Sequence, residues 1–335
     1  MSTLFQQTAY TMIAKHIDRY PLIKLSLIID WKPIEQHLNK QKTRYIRDNR
    51  GRPAYDPLSM FKAILLGQWH SLSDTELEHG IITRIDFNLF CGFDEMHIPD
   101  HSTLCRYRNW LAQNNLLDEL LNLINRELTA KGLKVKNAQT AVIDATIIET
   151  AGGKQRQAIE TDSEGNVTGQ TTPSKDQDAR WIKKDGKYRL GYKQHTRTDA
   201  EGYIEKVYAT PANAHECKHL TPLLKGLRKG VKVHADKGYS SKDNRKALAK
   251  QKLGDGIMEK AHRGSPLTEA QTIRNKLLSK VRYVVEQSFG TLHRKFRYSK
   301  ASYFGTAKVT AQCRLKAICL NLLKAANRIN ALVTV

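Results

Sequence analysis

Thr140-Ala-Val-Ile-Asp-Ala-Thr-Ile-Ile148 alternates along its length and is rich in β-branched residues. Period and propensity predict a strand, extending back to Gln139, with Val142, Asp144, Thr146 and Ile148 on one face. A carboxylate in the middle of an apolar strand is costly to desolvate unless a cation or strong donors meet it. Asp144 is therefore a candidate site residue.

Reading outward, residues 191–198 and 203–209 predict two more strands joined by the turn Asp199-Ala-Glu-Gly202. Residues 220–227 read as a short helix and residues 231–236 as a further strand. A turn after Asp236 then leads into a helix over residues 241–250, and residues 256–259 read as a short strand. Strands interleaved with helices predict a mixed α/β layer architecture. Residues 151–190 form a polar, Gly-containing insert with little to bury, ending in the hairpin-like Lys184-Asp-Gly-Lys187.

Upstream of Lys131 the pattern is helical. Leu58, Phe61, Ile64 and Leu65 recur at helical spacing, Ser73-Asp-Thr-Glu76 is a capping box, and residues 104–111 and 116–124 carry two further apolar periods. The expected organisation is an all-helical domain over residues 1–135, followed by an α/β domain over 136–335. The closing helix, with Leu315, Ile318, Cys319, Leu322 and Leu323, is expected to pack on the α/β core.

The 335 residues include 55 Lys and Arg against 33 Asp and Glu, a formal charge of +22. Such a field attracts polyanions, and nucleic acid is the first candidate partner. No apolar run approaches the roughly 18 residues needed to span a bilayer, and Met-Ser-Thr-Leu-Phe-Gln-Gln lacks the features of a secretory signal. The expectation is an intracellular protein without a membrane role. Five cysteines, odd in number and without a C-x-x-C pair, argue against a disulfide framework or a thiolate zinc site.

Against this basic background Glu286 stands out. It is the only acid between Arg274 and Lys300, a stretch with eight Lys or Arg. The segment has helical periodicity: Val285, Phe289, Leu292 and Phe296 form an apolar stripe expected to dock on the sheet. At about 100° per residue, Ser279, Arg282, Glu286, His293 and Arg297 share the adjacent edge. Asp236, at the end of its strand, completes a set of three isolated acids, since strand ends in open α/β sheets are where ligands collect. Two Asp and one Glu supply the hard oxygen ligands that Mg²⁺ or Mn²⁺ prefers. Two such ions about 4 Å apart can activate an attacking oxygen and stabilise the leaving one at phosphorus.

At these residues the chain resembles the DDE transposases of bacterial insertion sequences, specifically the insertion-sequence-five group. The likeness runs through Tyr55-Asp-Pro-Leu58, Pro99-Asp-His-Ser-Thr-Leu104, Ile143-Asp-Ala-Thr146, Gly191-Tyr-Lys-Gln-His195, Thr210-Pro-Ala-Asn213, Ala235-Asp-Lys-Gly-Tyr239 and Arg282-Tyr-Val-Val-Glu-Gln-Ser-Phe289. The resemblance implies an RNase H-like mixed sheet flanked by helices and metal-dependent cleavage and strand transfer at terminal inverted repeats. It also implies double-stranded DNA as partner, a homo-oligomer in the synaptic complex, and a site in the bacterial cytoplasm at the nucleoid. Asp144, Asp236 and Glu286 match the three catalytic, metal-binding acids. In the family's signature around the Glu, Arg282 fits, whereas Ser279 stands at the Tyr position and His293 at the Lys position. The DNA-end contact is thus expected from His293 or from neighbouring Arg294 or Lys295, with Arg282 and Arg297 on the same edge.

Arg106 and Arg108 lie on a short helix after a turn, as in a helix-turn-helix reader. Lys40, Lys42, Arg44, Arg47, Arg50 and Arg52 form a second basic stretch that could track a duplex. Trp181, Lys183, Lys184, Lys187 and Arg189 combine an aromatic with cations, suited to touching a DNA end. His215 and His219 have a zinc-compatible spacing but no second ligand pair, so a polar helix start is the simpler reading. His195 and Lys193 read as strand-surface residues, with approach to phosphates or the metal site as the alternative. Glu149 falls on the strand face opposite Asp144. A metal-dependent nuclease without strand transfer and a non-catalytic DNA-binding regulator are the rival functions.

Overall fold

The computed structural model describes residues 4–45, 54–94, 96–152, 163 and 175–333. Arg47, Arg50 and Arg52 of the second basic stretch, and most of the polar insert, lie outside the described residues. The chain divides into two compact units.

The first unit holds residues 1–138, 199–205 and 314–335. Its helices are α1 (Leu4–Ala14), α2 (Pro21–Ser26), α3 (Lys32–Tyr45), α4 (Pro57–His70), α5 (Asp74–Thr83), α6 (Ile85–Cys91), α7 (His101–Gln113) and α8 (Leu116–Ala130). Local chemistry sets the starts of several. Asp56 accepts from the Ser59 amide and precedes Pro57, α5 opens on the full Ser73/Glu76 capping box, and Asp100 accepts from the Thr103 amide to begin α7. In α8, Leu117, Leu120, Leu121, Ile124 and Leu128 are fully buried on one face.

The second unit holds residues 139–198 and 206–313. Its elements are β1 (Thr140–Glu149), β2 (Arg180–Lys184), β3 (Lys187–Asp199), β4 (Ile204–Pro211), α9 (Leu220–Leu224), β5 (Lys232–Ala235), α10 (Lys242–Lys250), β6 (Gly254–Ile257) and α11 (Glu269–Arg294). The sheet runs β2-β3-β1-β5-β6, with β4 on β3. β1, β5 and β6 are mutually parallel, whereas β2 and β3 form an antiparallel hairpin. The mixed α/β architecture and the strands read from the sequence are thus observed, and β2 extends the hairpin-like Lys184–Lys187 turn into a ribbon. Asp185 and Gly186 both have positive φ, 51° and 74°, as a two-residue turn of the hairpin-favouring type requires.

Ala141, Ile143, Val233, Ala235, Leu220, Leu223, Leu248 and Ile257 form the core beneath the parallel strands. α11 packs on β1 and β5. Val285, Phe289 and Leu292 of its predicted stripe are buried, as is Phe296 just beyond its end.

The last helix, α12 (Thr306–Val333), differs from expectation. From Arg314 onward it belongs to the helical unit and not to the α/β core. The Lys316 ammonium donates to the Gln68 carbonyl at 2.6 Å and to Ser71 at 3.0 Å, capping the end of α4, and the Cys319 thiol lies 3.7 Å from the Leu65 carbonyl. The tip of the β3–β4 hairpin also belongs to this unit. Lys134 pairs with Asp199 at 2.8 Å and Glu205 at 3.0 Å, and the Asn321 side chain accepts from the Ile204 amide and donates to its carbonyl.

Candidate active site

β1 and β5 run side by side with Ile143 opposite Ala235. The next residue in each chain is an aspartate, so Asp144 and Asp236 leave the paired region together. Neither strand alone specifies this meeting. The parallel register does.

Both carboxylates are fixed by their own backbone and by one shared cation. Asp144 Oδ1 accepts from the Ala145 amide at 2.8 Å, and Asp236 Oδ1 accepts from the Lys237 amide at 2.6 Å as the cap of the turn Lys237–Tyr239. The Arg282 guanidinium then bridges the pair, with Nη2 at 2.8 Å from Asp144 Oδ2 and Nη1 at 3.4 Å from Asp236 Oδ1. Arg282 is buried, its Nη1 also lies 3.6 Å from Met258 Sδ, and its Nε has no hydrogen-bond partner among the described residues. Burial pushes the Asp144 carboxyl above its ordinary value. Arg282 opposes that push, and the Glu216 carboxylate adds to it.

Glu286 lies one turn beyond Arg282 on α11 and is exposed. Asp144 and Asp236 are therefore brought together, and Glu286 stands apart from them. Among the described residues no three His, Cys, Asp or Glu side chains lie close enough to hold one metal ion. The donor set nonetheless suits a hard divalent cation: two carboxylates already converge on a positive group, and a third lies on the helix that supplies that group.

Two neighbours were not legible in the sequence. The fully buried Tyr239 hydroxyl has no hydrogen-bond partner among the described residues, and burial, then Asp144 and Glu216, hold its pKa well up. Glu216 itself pairs with Lys193 at 3.3 Å, and its Oε2 would lie 3.0 Å from a Cβ at Gly238. Tyr239 and Glu216, from two separate turns, thus lie near enough to Asp144 to interact with its charge.

The remaining candidates separate by burial. His195, expected on a strand surface, is fully buried: Nε2 lies 2.9 Å from Thr210 Oγ1, and the ring stacks on His219 at 4.4 Å and Tyr208 at 5.2 Å. Burial, aided by His219 and Lys193, drops its pKa to about 3, so the ring is neutral. Lys193 is also buried, donating to the Ala214 carbonyl at 2.8 Å. His215 caps the short helical turn Glu216–His219, and the carbonyl of His219, its last residue, accepts from the Tyr208 hydroxyl at 3.0 Å. Glu149 is exposed at the strand end.

Of the residues expected on DNA, Arg106, Arg294, Lys295 and Arg297 are exposed. Arg108 is instead buried and paired with Asp74, and Arg282 is taken up by the two aspartates. His293 is half-buried, with Nε2 lacking a hydrogen-bond partner among the described residues. Burial and then the charge of Arg189 lower its pKa. A neutral imidazole stands where the related signature carries a lysine.

A mixed α/β core that delivers paired aspartates to the ends of adjacent parallel strands is a frame on which metal-assisted phosphoryl-transfer sites can be built. Residues 136–322 match the family model described as "Transposase DDE domain", and residues 11–110 match "Transposase domain (DUF772)". The chain is 72% identical over 226 residues to the "Transposase for insertion sequence element IS1106" of Neisseria meningitidis serogroup B, covering 68% of this chain and 78% of that relative. The chain belongs to the DDE transposase family, DNA-cleaving and strand-transferring enzymes with an RNase H-like core and a dependence on divalent metal. Among solved structures it is similar to the piggyBac transposase synaptic complex with hairpin DNA, with a TM-score of 0.47, 12% identity, and coverage of 92% of this chain and 75% of that one. A likeness to the Mos1 strand transfer complex has a TM-score of 0.22 and 10% identity over 80% of this chain and 85% of that one. Among the described residues no helix is long and apolar enough to cross a membrane.

Proposed function

We propose that Asp144, Asp236 and Glu286 are the catalytic acids of an insertion-sequence transposase of the insertion-sequence-five group, holding Mg²⁺ or Mn²⁺, with two ions at work in turnover. The observation that carries this reading is the register of Ile143 with Ala235, which makes two sequence-remote aspartates neighbours at a cation. Divalent ions in such a site supply a more acidic water and neutralise charge developing on phosphate oxygens. The chain's own residues supply the rest. Asp144 and Asp236 are oriented by backbone amides, and the buried floor of Tyr239, Ala235 and Ile143 keeps that side of the site dry.

The substrate is double-stranded DNA, cut at the terminal inverted repeats and joined to target DNA. Exposed Arg294, Lys295 and Arg297, at the end of the helix that carries Glu286, would hold the phosphate backbone by charge. The β2–β3 ribbon would add a second contact. Its register places Arg180, Ile182, Lys184, Lys187 and Arg189 on one face and Trp181, Lys183, Tyr188 and Leu190 on the other. One face offers cations to a backbone, whereas Trp181 and Tyr188 offer half-exposed and exposed rings for stacking. Arg189 lies near enough to His293 to affect its titration, which ties the ribbon to the end of α11.

In the helical unit Arg106 is an exposed cation of α7, paired among the described residues only with Thr103 at 2.9 Å, and is the base-reading candidate there. Two element ends must be held at once, so the active species is a homo-oligomer, acting in the cytoplasm at the nucleoid. The deciding experiment supplies the protein with cleaved inverted-repeat ends, a target duplex and Mg²⁺. Joined strand-transfer product supports the reading, whereas cleavage without joining supports a nuclease.

A further inference from the structure

We infer that Arg282 is a counter-ion that holds Asp144 and Asp236 together, and that divalent-ion loading exchanges it for Glu286, one turn along the same edge of α11. The inference rests on the reading of Asp144 and Asp236 as metal ligands. It assigns Arg282 to positioning the acids and not to holding DNA in this state.

Two carboxylates at the ends of adjacent parallel strands repel each other, and burial of Asp144 adds a desolvation penalty. A planar guanidinium with two terminal nitrogens suits the gap, because each nitrogen can serve a different carboxylate. Arg282 does this at 2.8 and 3.4 Å. A divalent cation shared by the same oxygens would compete for the place of that guanidinium.

The helix geometry supplies the replacement. Positions four apart on a helix differ by about 40°, so Arg282 and Glu286 present to nearly the same side, one turn apart. With Arg282 inserted, the two aspartates and the guanidinium carry a single net negative charge, a poor attraction for a dication. With Arg282 withdrawn and Glu286 brought in, the three carboxylates carry three. Glu286 is exposed, and no ion pair among the described residues engages it. Arg282, in contrast, is buried with its Nε unpartnered. That orphaned donor weakens its hold on the inserted position. Once withdrawn, the guanidinium would be free to pair with a phosphate oxygen.

The test measures Mn²⁺ affinity by calorimetry and thermal stability in chelator, without DNA, on the full chain and three variants. Arg282→Gln is expected to bind Mn²⁺ about tenfold tighter, since it removes a closed state that lowers the competent fraction, and to melt at a lower temperature in chelator. Glu286→Gln is expected to bind Mn²⁺ more weakly with unchanged stability in chelator. Arg282→Lys, which keeps a charge but not the fork, is expected between wild type and Arg282→Gln in both readouts, and decides the matter if Arg282→Gln does not fold. Mn²⁺ binding by the wild type that neither Arg282 variant tightens overturns the exchange alone. Absence of Mn²⁺ binding from wild type and variants alike overturns the metal reading and the exchange with it.

Discussion

Ile143 stands directly opposite Ala235 across two parallel strands, and an aspartate follows each. If this juxtaposition is the reaction centre, a neutral amide at either aspartate should leave the fold and DNA binding intact and remove chemistry. Asp144→Asn, Asp236→Asn and Glu286→Gln are each expected to slow strand cleavage at least about 10²-fold, the scale of losing one electrostatic stabiliser in a buried site. Gel assays of cleavage beside a binding assay check this. A variant that cuts normally removes its residue from the site.

The β2–β3 ribbon divides into a cationic face and an aromatic face, and the two should fail differently. Trp181→Ala is expected to weaken binding of element-end DNA by about 1–3 kcal/mol for the base that no longer stacks, with little change in salt dependence. Lys184→Ala with Lys187→Ala should instead reduce the slope of log affinity against log salt by nearly two, one for each phosphate left without its lysine. Titrations at several salt concentrations separate the two behaviours, and an unchanged slope would remove the ribbon from the DNA interface.

Arg106 and Arg108, two residues apart on α7, are expected to part company. Arg108 is buried against Asp74, in the first turn of α5, so Arg108→Ala leaves a partly buried carboxylate unpaired. A loss of about 1–3 kcal/mol of stability follows. Arg106→Ala, at an exposed position, should leave stability within about 0.5 kcal/mol and lower DNA affinity. Urea unfolding and DNA titration of both variants check the division of labour.

Several strands and helix starts were legible because each is a local property, whereas β2 lies inside the stretch that read as a polar insert. Alternation marked β1, a capping box marked α5, and the charge contrast around Glu286 singled out α11. What was not legible depends on long-range geometry. Arg282 read as one of several cations on a helix edge, yet it is buried between two carboxylates that lie 138 and 46 positions away in sequence (282 − 144 and 282 − 236). The apolar repeat of α12 is equally compatible with either unit, and only its partners Gln68 and Leu65 assign it to the helical one. Arg108 was likewise ambiguous, since a helical arginine reads the same whether Asp74 or a phosphate receives it.

Gly191 offers a test of the sheet that positions Asp144. A Cβ there would stand 2.1 Å from the Ile148 carbonyl oxygen and 2.8 Å from Glu149 Cα. The obstruction is backbone, so no side-chain rotation relieves it. Gly191→Ala is expected to cost about 3 kcal/mol or more and to abolish activity by forcing β3 away from β1. Circular dichroism melting should show the destabilisation, and a wild-type melting curve would contradict this close approach of the strands.

His195 makes the protein's acid sensitivity predictable in sign. Its ring is buried between His219 and Tyr208, and its pKa falls to about 3, below the ordinary histidine value near 6.5. Between those values the unfolded chain binds a proton at this residue that the folded chain refuses. Its stabilising effect is therefore complete above about pH 6.5 and is lost as pH falls toward 3. Over that window the unfolding free energy should fall by up to about 1.4 kcal/mol per pH unit on account of this group. His219 and His234 add to the slope in the same direction, because burial lowers both. His195→Gln retains a polar side chain that can reach Thr210 but cannot titrate. Denaturant unfolding from pH 7 to pH 4 should therefore show a slope for the variant shallower by about one proton. A parallel pair of curves would show that His195 is protonated in the folded protein.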